Sequence, residues 1–186
     1  MGFFSNLTLP WRNPGRIGRT NFERGRRAEL RGEFAMAEAC FRQGAQAYDD
    51  HLVALARSGR EPLPSALTMA GICHVRIGRN ENGLRLLRRA LKARDIPDAW
   101  LHAGYAAAKL GDREGAADLW SRYPPWADQP VIAKTLKALV EDIRNGATLD
   151  TACESVAKAV LAQDRENARK RPFLRHSRPV PPHRGY

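Results

Sequence analysis

"GICHVRIG" (residues 71–78) sets Cys73 beside His74 with Arg76 two residues on, a grouping that suggests a catalytic or metal site. The same frame, two glycines seven residues apart, returns as "GYAAAKLG" (residues 104–111) and as "GRRAELRG" (residues 25–32). Beyond the second glycine come a polar or acidic residue and then a small and a bulky residue at fixed offsets: Ala37 and Phe41, Gly83 and Leu87, Ala116 and Trp120. That order predicts a helix, a tight turn and a second helix, repeated along the chain. Cys73 and His74 are therefore read as parts of a structural unit. Cysteine behaves as a small hydrophobe when buried, and no carboxylate at helical spacing accompanies His74 to orient its imidazole.

Around these units the chain is 186 residues long and 43% hydrophobic, enough for a core and too apolar for a disordered polymer. Cys40, Cys73 and Cys153 lie far apart with no C-x-x-C pair, which points away from a disulfide framework or a zinc site and toward a reducing compartment. The start, "MGFFSNLTLPW", has no basic residue ahead of its apolar run, and Asn6 stands where a myristoylation signal needs Ser or Thr. No apolar stretch approaches the roughly 18 residues of a membrane span. A soluble, cytoplasmic protein is expected. With no phosphate loop, H-E-x-x-H or nucleophile elbow, the expectation is no enzyme, no cofactor and no metal.

The net charge of +11 is unevenly spread. Residues 1–20 hold three bases and no acid, and residues 165–186 hold seven bases against Glu166, so residues 21–164 carry only +2. The basicity belongs to the ends.

Gly78 and Gly111 are 33 residues apart, close to the period of about 34 in one helical repeat class. Over residues 21–126 the chain resembles the tetratricopeptide repeat family. The third unit carries the resemblance best, with Trp100, Ala103, Gly104, Ala107, Ala116, Trp120 and Pro124 set against the pattern W-x-x-L-G-x-x-Y, A-x-x-x-F and P. The second keeps Leu67, Ala70, Gly71 and Leu87, with His74 in the tyrosine slot and Gly83 in the alanine slot; the first keeps Gly25, Ala28, Ala37 and Phe41 but has Asn21 and Arg24 for Trp and Leu. The resemblance implies an all-α fold, a short right-handed α-solenoid of helical hairpins. In it Gly104 and Ala116 let two helices close, while Trp100 and Trp120 fill the space between hairpins.

The expected organisation is a basic and apolar arm at residues 1–20, repeats at about 21–64, 65–97 and 98–126, a capping hairpin at 127–168 around Gly146, and a basic proline-rich tail at 169–186. Gly32 and Gly78 are 46 apart, and Tyr48, Leu52 and Leu55 at helical spacing predict that the extra length extends a helix ended by Gly59, Pro62 and Pro64.

By the same resemblance, the first helix of each hairpin lines a concave groove. Its residues would be Phe22, Arg26, Glu29, Thr68, Ile72, Val75, Arg76, Leu101, Tyr105, Ala108 and Lys109, giving an apolar floor edged by Arg26, Arg76 and Lys109. Such a groove suits an extended or helical peptide with acidic residues. The alternative is that these residues pack against the chain's own fourth hairpin or arm. The family's carboxylate clamp is not visible, since Phe22, Arg26, Met69, Asp98 and His102 occupy its places. A second surface is the basic stripe Arg85, Arg88, Arg89 and Lys92, opposite Leu84, Leu87 and Leu91 on one helix. The sequence thus predicts a non-catalytic protein-binding adaptor or assembly factor, with a nucleic-acid-binding accessory protein as the second choice.

Overall fold

Four prolines open four of the helices. Pro14, Pro64, Pro97 and Pro130 each stand in the first turn, where the missing N–H is one that no helix uses and the fixed φ favours helical geometry. A computed structural model describes residues 13–170, and the greater part of the expected arm and tail lies outside them. The described residues are all-helical, with eight helices and no strand: α1 (Pro14–Leu30), α2 (Phe34–Arg57), α3 (Pro64–Arg76), α4 (Asn80–Ala93), α5 (Pro97–Lys109), α6 (Arg113–Ser121), α7 (Pro130–Arg144) and α8 (Leu149–Lys170).

The turns that close α1–α2, α3–α4, α5–α6 and α7–α8 are built alike. In each, the residue after the turn glycine donates its N–H to a carbonyl five residues back: Glu33 to Ala28, Arg79 to His74, Asp112 to Ala107 and Ala147 to Asp142, at 2.9 to 3.0 Å. This geometry needs a left-handed residue between them. Gly78 and Gly111 supply it with φ of 77° and 80°.

Within each of the first three hairpins, the glycine of the first helix lies under the bulky residue of the second. A Cβ on Gly25 would stand 2.8 Å from the Phe41 ring, one on Gly71 would stand 2.6 Å from Leu87, and one on Gly104 would stand 2.4 Å from Trp120. Gly83 also has a reason: a Cβ there would meet Val75 at 2.5 Å and the Gly71 carbonyl at 2.9 Å, so the alanine of the equivalent positions does not fit. Trp120 is fully buried in its own hairpin and donates Nε1–H to the Leu101 carbonyl at 3.0 Å. This corrects the expectation that both tryptophans fill space between hairpins. Trp100 is only half-buried, bonded to Asp95 with Arg122 over its ring.

The expected arm boundary also shifts. Residues 14–20 are not part of an arm but the opening turns of α1, capped by Asn13, whose Oδ1 accepts from Gly15 N–H at 3.0 Å. The lengthened α2 is the cause. Its last turns carry Tyr48 and His51 past the glycine pair of the repeat frame, and α1 is extended to meet them, with Gly18 against the Tyr48 ring and Gly15 against His51.

Helices α1, α3 and α5 are successive neighbours in one row, and α2, α4 and α6 each pack on the helix that follows. One buried cluster joins Ala28, Phe41, Tyr48, Leu67 and Cys73 at the first two hairpins; a second runs from Ile72 and Leu87 through Leu101 and Trp120 to Leu136, Ile143 and Val156. The α8 helix turns back. It packs on α7, on α5 and, at its far end, on α1.

Candidate functional site

Along α8, Asp150, Cys153, Val156, Val160 and Asp164 follow at steps of three and four and so share one side of the helix. This side carries small apolar groups between two carboxylates about 21 Å apart, given 1.5 Å per residue. Each carboxylate meets a base of the row: Lys109 Nζ at the end of α5 donates to Asp150 Oδ1 at 3.2 Å, and Arg26 Nη2 in α1 donates to both oxygens of Asp164 at 2.9 and 3.0 Å. The helix therefore runs over α5 and reaches α1.

The predicted groove is thereby corrected: its floor is not open. Thr68, Ile72, Val75, Leu101 and Ala108 are buried, and Phe22 and Tyr105 are half-buried. Its three edging bases are all answered within the chain, Arg26 by Asp164, Lys109 by Asp150, and Arg76 by Glu29 at 3.2 Å. The physical reason is that the inner side of α8 has its own apolar residues to bury, and the row offers an apolar floor with bases at matching spacing. Val156 and Val160 share one cluster with Ile72, Val75, Leu101 and Ala108. Over α5 and α1 the fourth hairpin, the alternative occupant foreseen from the sequence, is the one observed, whereas Val75 of α3 lies against Gly83 of α4.

Beneath the far half of α8 the layer is charged. Arg26, Glu29, Arg76, His102 and Asp164 come from four helices, and their side chains are 4–28% exposed. Burial works against the charged form of Arg26, but Asp164, Asp98 and Glu29 more than offset it and hold its pKa above the ordinary value. Burial also raises the Glu29 pKa, opposed by Arg76 and Arg26 and aided by Asp164. His102 goes the other way: burial first, then Arg76 and Arg26, keep its pKa well below 6.5 and the ring neutral.

That last shift has a measurable consequence. Below about pH 6.5 the unfolded chain takes up a proton at His102 that the folded chain refuses, so the stability it contributes above 6.5 is lost as pH falls toward the folded value. Glu29, with a raised folded pKa, acts with the opposite sign at lower pH, where protonation favours the folded chain. Between pH 7 and 5.5 the His102 effect should amount to about 1 kcal/mol. Urea unfolding at both pH values should show a drop that shrinks in His102→Asn. An equal drop in both proteins would show that His102 is not buried beside Arg26 and Arg76.

Cys73 and His74 meet different partners. Cys73 is fully buried, and burial pushes its thiol up to about 12, leaving no thiolate at neutral pH. His74 does gain a carboxylate, Asp49 Oδ1 of α2 at 3.0 Å from Nε2, which the sequence reading missed because it searched only at helical spacing. Among the described residues no group of three or more His, Cys, Asp or Glu side chains is placed to hold a metal, and no helix is long and apolar enough to cross a membrane. The stripe Arg85, Arg88, Arg89 and Lys92 is exposed on α4, with Arg88 3.8 Å from Asp112 and Arg89 2.6 Å from Glu61. Arg85 and Lys92 have no ion-pair partner among the described residues.

Sequence reasoning found the row residues but missed Asp150, Asp164, Glu29 as the partner of Arg76, and Gln163. The last of these is buried and accepts from the Val131 N–H at 2.9 Å, tying α8 to the start of α7. The signal for Asp150 and Asp164 was present as two acids framing a small apolar stripe. Compared with protein-family models, curated proteins and solved structures, the chain matches none.

Proposed function

We propose that this protein is a non-catalytic adaptor or assembly factor, a short right-handed α-solenoid of tetratricopeptide-like hairpins. Its inner row, α1, α3 and α5, binds a helical segment of a partner protein. The observation that carries the reading is the seat of α8 itself: this row already accommodates an amphipathic helix with a carboxylate on Arg26. A helix laid in a groove by its apolar side, with charges fixing its register, is a recurring mode of peptide recognition.

The second reading is a nucleic-acid-binding accessory protein. It is favoured by the unanswered Arg85 and Lys92 on the outer face of α4 and by the bases that accumulate at both chain ends. The two separate by salt and nuclease. Full-length protein used as bait should retain its partner protein after nuclease treatment and at 0.5 M salt, and should lose it on Tyr105→Ala, since an aromatic anchor at an interface is often worth about 2 kcal/mol. Loss of the partner on nuclease treatment or on truncation after Lys170, with indifference to Tyr105→Ala, would promote the second reading instead, because phosphate contacts weaken steeply with salt.

A further inference from the structure

We propose that α8 is the chain's own stand-in for its ligand: the face of α5 and α1 beneath it is a site for an acidic amphipathic helix, open only when α8 leaves. The proposal rests on the reading of the row as a binding surface and adds the chemistry of the partner and the gate. Three observations lead to it.

The contact has the composition of an interface. Arg26, Glu29, Arg76, His102 and Asp164 sit together under α8, whereas domain interiors seldom bury charged side chains and arginine is enriched at surfaces made to be covered by a partner. The apolar part contributed by α8 is small: Cys153, Val156 and Val160, with no aromatic residue on that side. The charges are complementary and spaced. Lys109 and Arg26 lie at the two ends of the crossing and each meets one carboxylate of α8. The pair at Lys109 is open to water, with the Asp150 side chain 89% exposed, so the closing contact is concentrated at Arg26 and Asp164.

These define the ligand. It is a helix presenting two carboxylates fourteen residues apart, with small or branched apolar residues between them at steps of three and four, and it competes with α8 for Lys109 and Arg26. Gln163 holds α8 to α7 by a separate bond to the Val131 N–H, so release breaks the contacts to α1 and α5 and leaves the tie to α7. While α8 is seated, a ligand sees only the fraction of molecules that are open, and its apparent affinity falls by that fraction.

The test uses the full chain and a fluorescent synthetic peptide with the sequence of residues 148–168, Cys153 replaced by Ser. Asp164→Arg sets two guanidinium groups against each other and unseats α8, so the peptide should bind this variant at least about tenfold more tightly than it binds the parent. A second peptide with Arg at the position of Asp164 should lose that gain. Asp164→Asn, which keeps the side-chain shape, guards against a variant that merely unfolds, and it should show a smaller gain in the same direction. Equal and negligible binding of the peptide to parent and Asp164→Asn, with α8 amides exchanging as slowly as those of α5, would overturn the proposal and make α8 a fixed part of the core. So would a peptide gain that ignores the Arg replacement, or a gain that appears as dimerisation of the variant through exchanged α8 helices. Charge-dependent peptide binding without any partner protein retained by the full-length bait would leave the gate standing and count against the adaptor reading.

Discussion

Gly104→Leu should destabilise the protein by at least about 3 kcal/mol or prevent folding. A Cβ at this position would already stand 2.4 Å from Trp120 Cδ1 and Nε1, and overpacking a tight contact typically costs about 1 to 3 kcal/mol. A leucine also pushes the indole away from the Leu101 carbonyl, to which it donates at 3.0 Å in a buried setting, and leaving the buried indole N–H unpaired adds about 1 to 3 kcal/mol. Circular dichroism melts of variant and parent would measure it. An unchanged midpoint would mean that α5 and α6 do not close through Gly104 and Trp120, and that the register of the hairpins is wrong.

Arg26→Glu is expected to have the next largest effect. It replaces the guanidinium that faces Asp164, Asp98 and Glu29 with a fourth carboxylate. Breaking a buried pair by removing one partner costs about 3 to 5 kcal/mol. The side chains here are 28% and 19% exposed, so solvent screening favours the lower end, about 3 kcal/mol. Urea unfolding at pH 7 would show it as a lower midpoint with an unchanged slope. A loss below about 0.5 kcal/mol would place Arg26 on an open surface, as the original groove expectation had it.

The fold was legible because its determinants are local. A glycine that must adopt positive φ, and a glycine that must sit under Phe41, Leu87 or Trp120, leave marks at fixed offsets, and three sets of them are enough to specify the all-α hairpin order. A further mark, Pro64, Pro97 and Pro130 at equal intervals of 33 residues, extends the same period into the fourth hairpin, whose second half carries none of the glycine and bulky-residue pairs. The site was legible only by halves. Arg26, Arg76 and Lys109 could be assigned to one side of a row, but their partners lie 138, 47 and 41 residues away in sequence. No period links Arg26 and Lys109 to their partners, because the angle at which α8 returns is set by packing against α5 and α7 together, and Glu29 meets Arg76 through the packing of α1 on α3. His74 and Asp49 failed to be paired for the same reason, being on different helices.

The return of α8 over α5 to α1 is tested most directly by the coupling of Arg26 to Asp164. Residues so distant in sequence influence one another only if the chain brings them together. Stability should therefore be measured for the parent, Arg26→Ala, Asp164→Ala and the double variant by urea unfolding. A charge-assisted contact that is partly screened predicts that the two single losses exceed the double loss by about 1.5 kcal/mol. Losses that add to within about 0.3 to 0.5 kcal/mol would contradict it, since independent sites behave so, and would leave the inner row uncovered at α1.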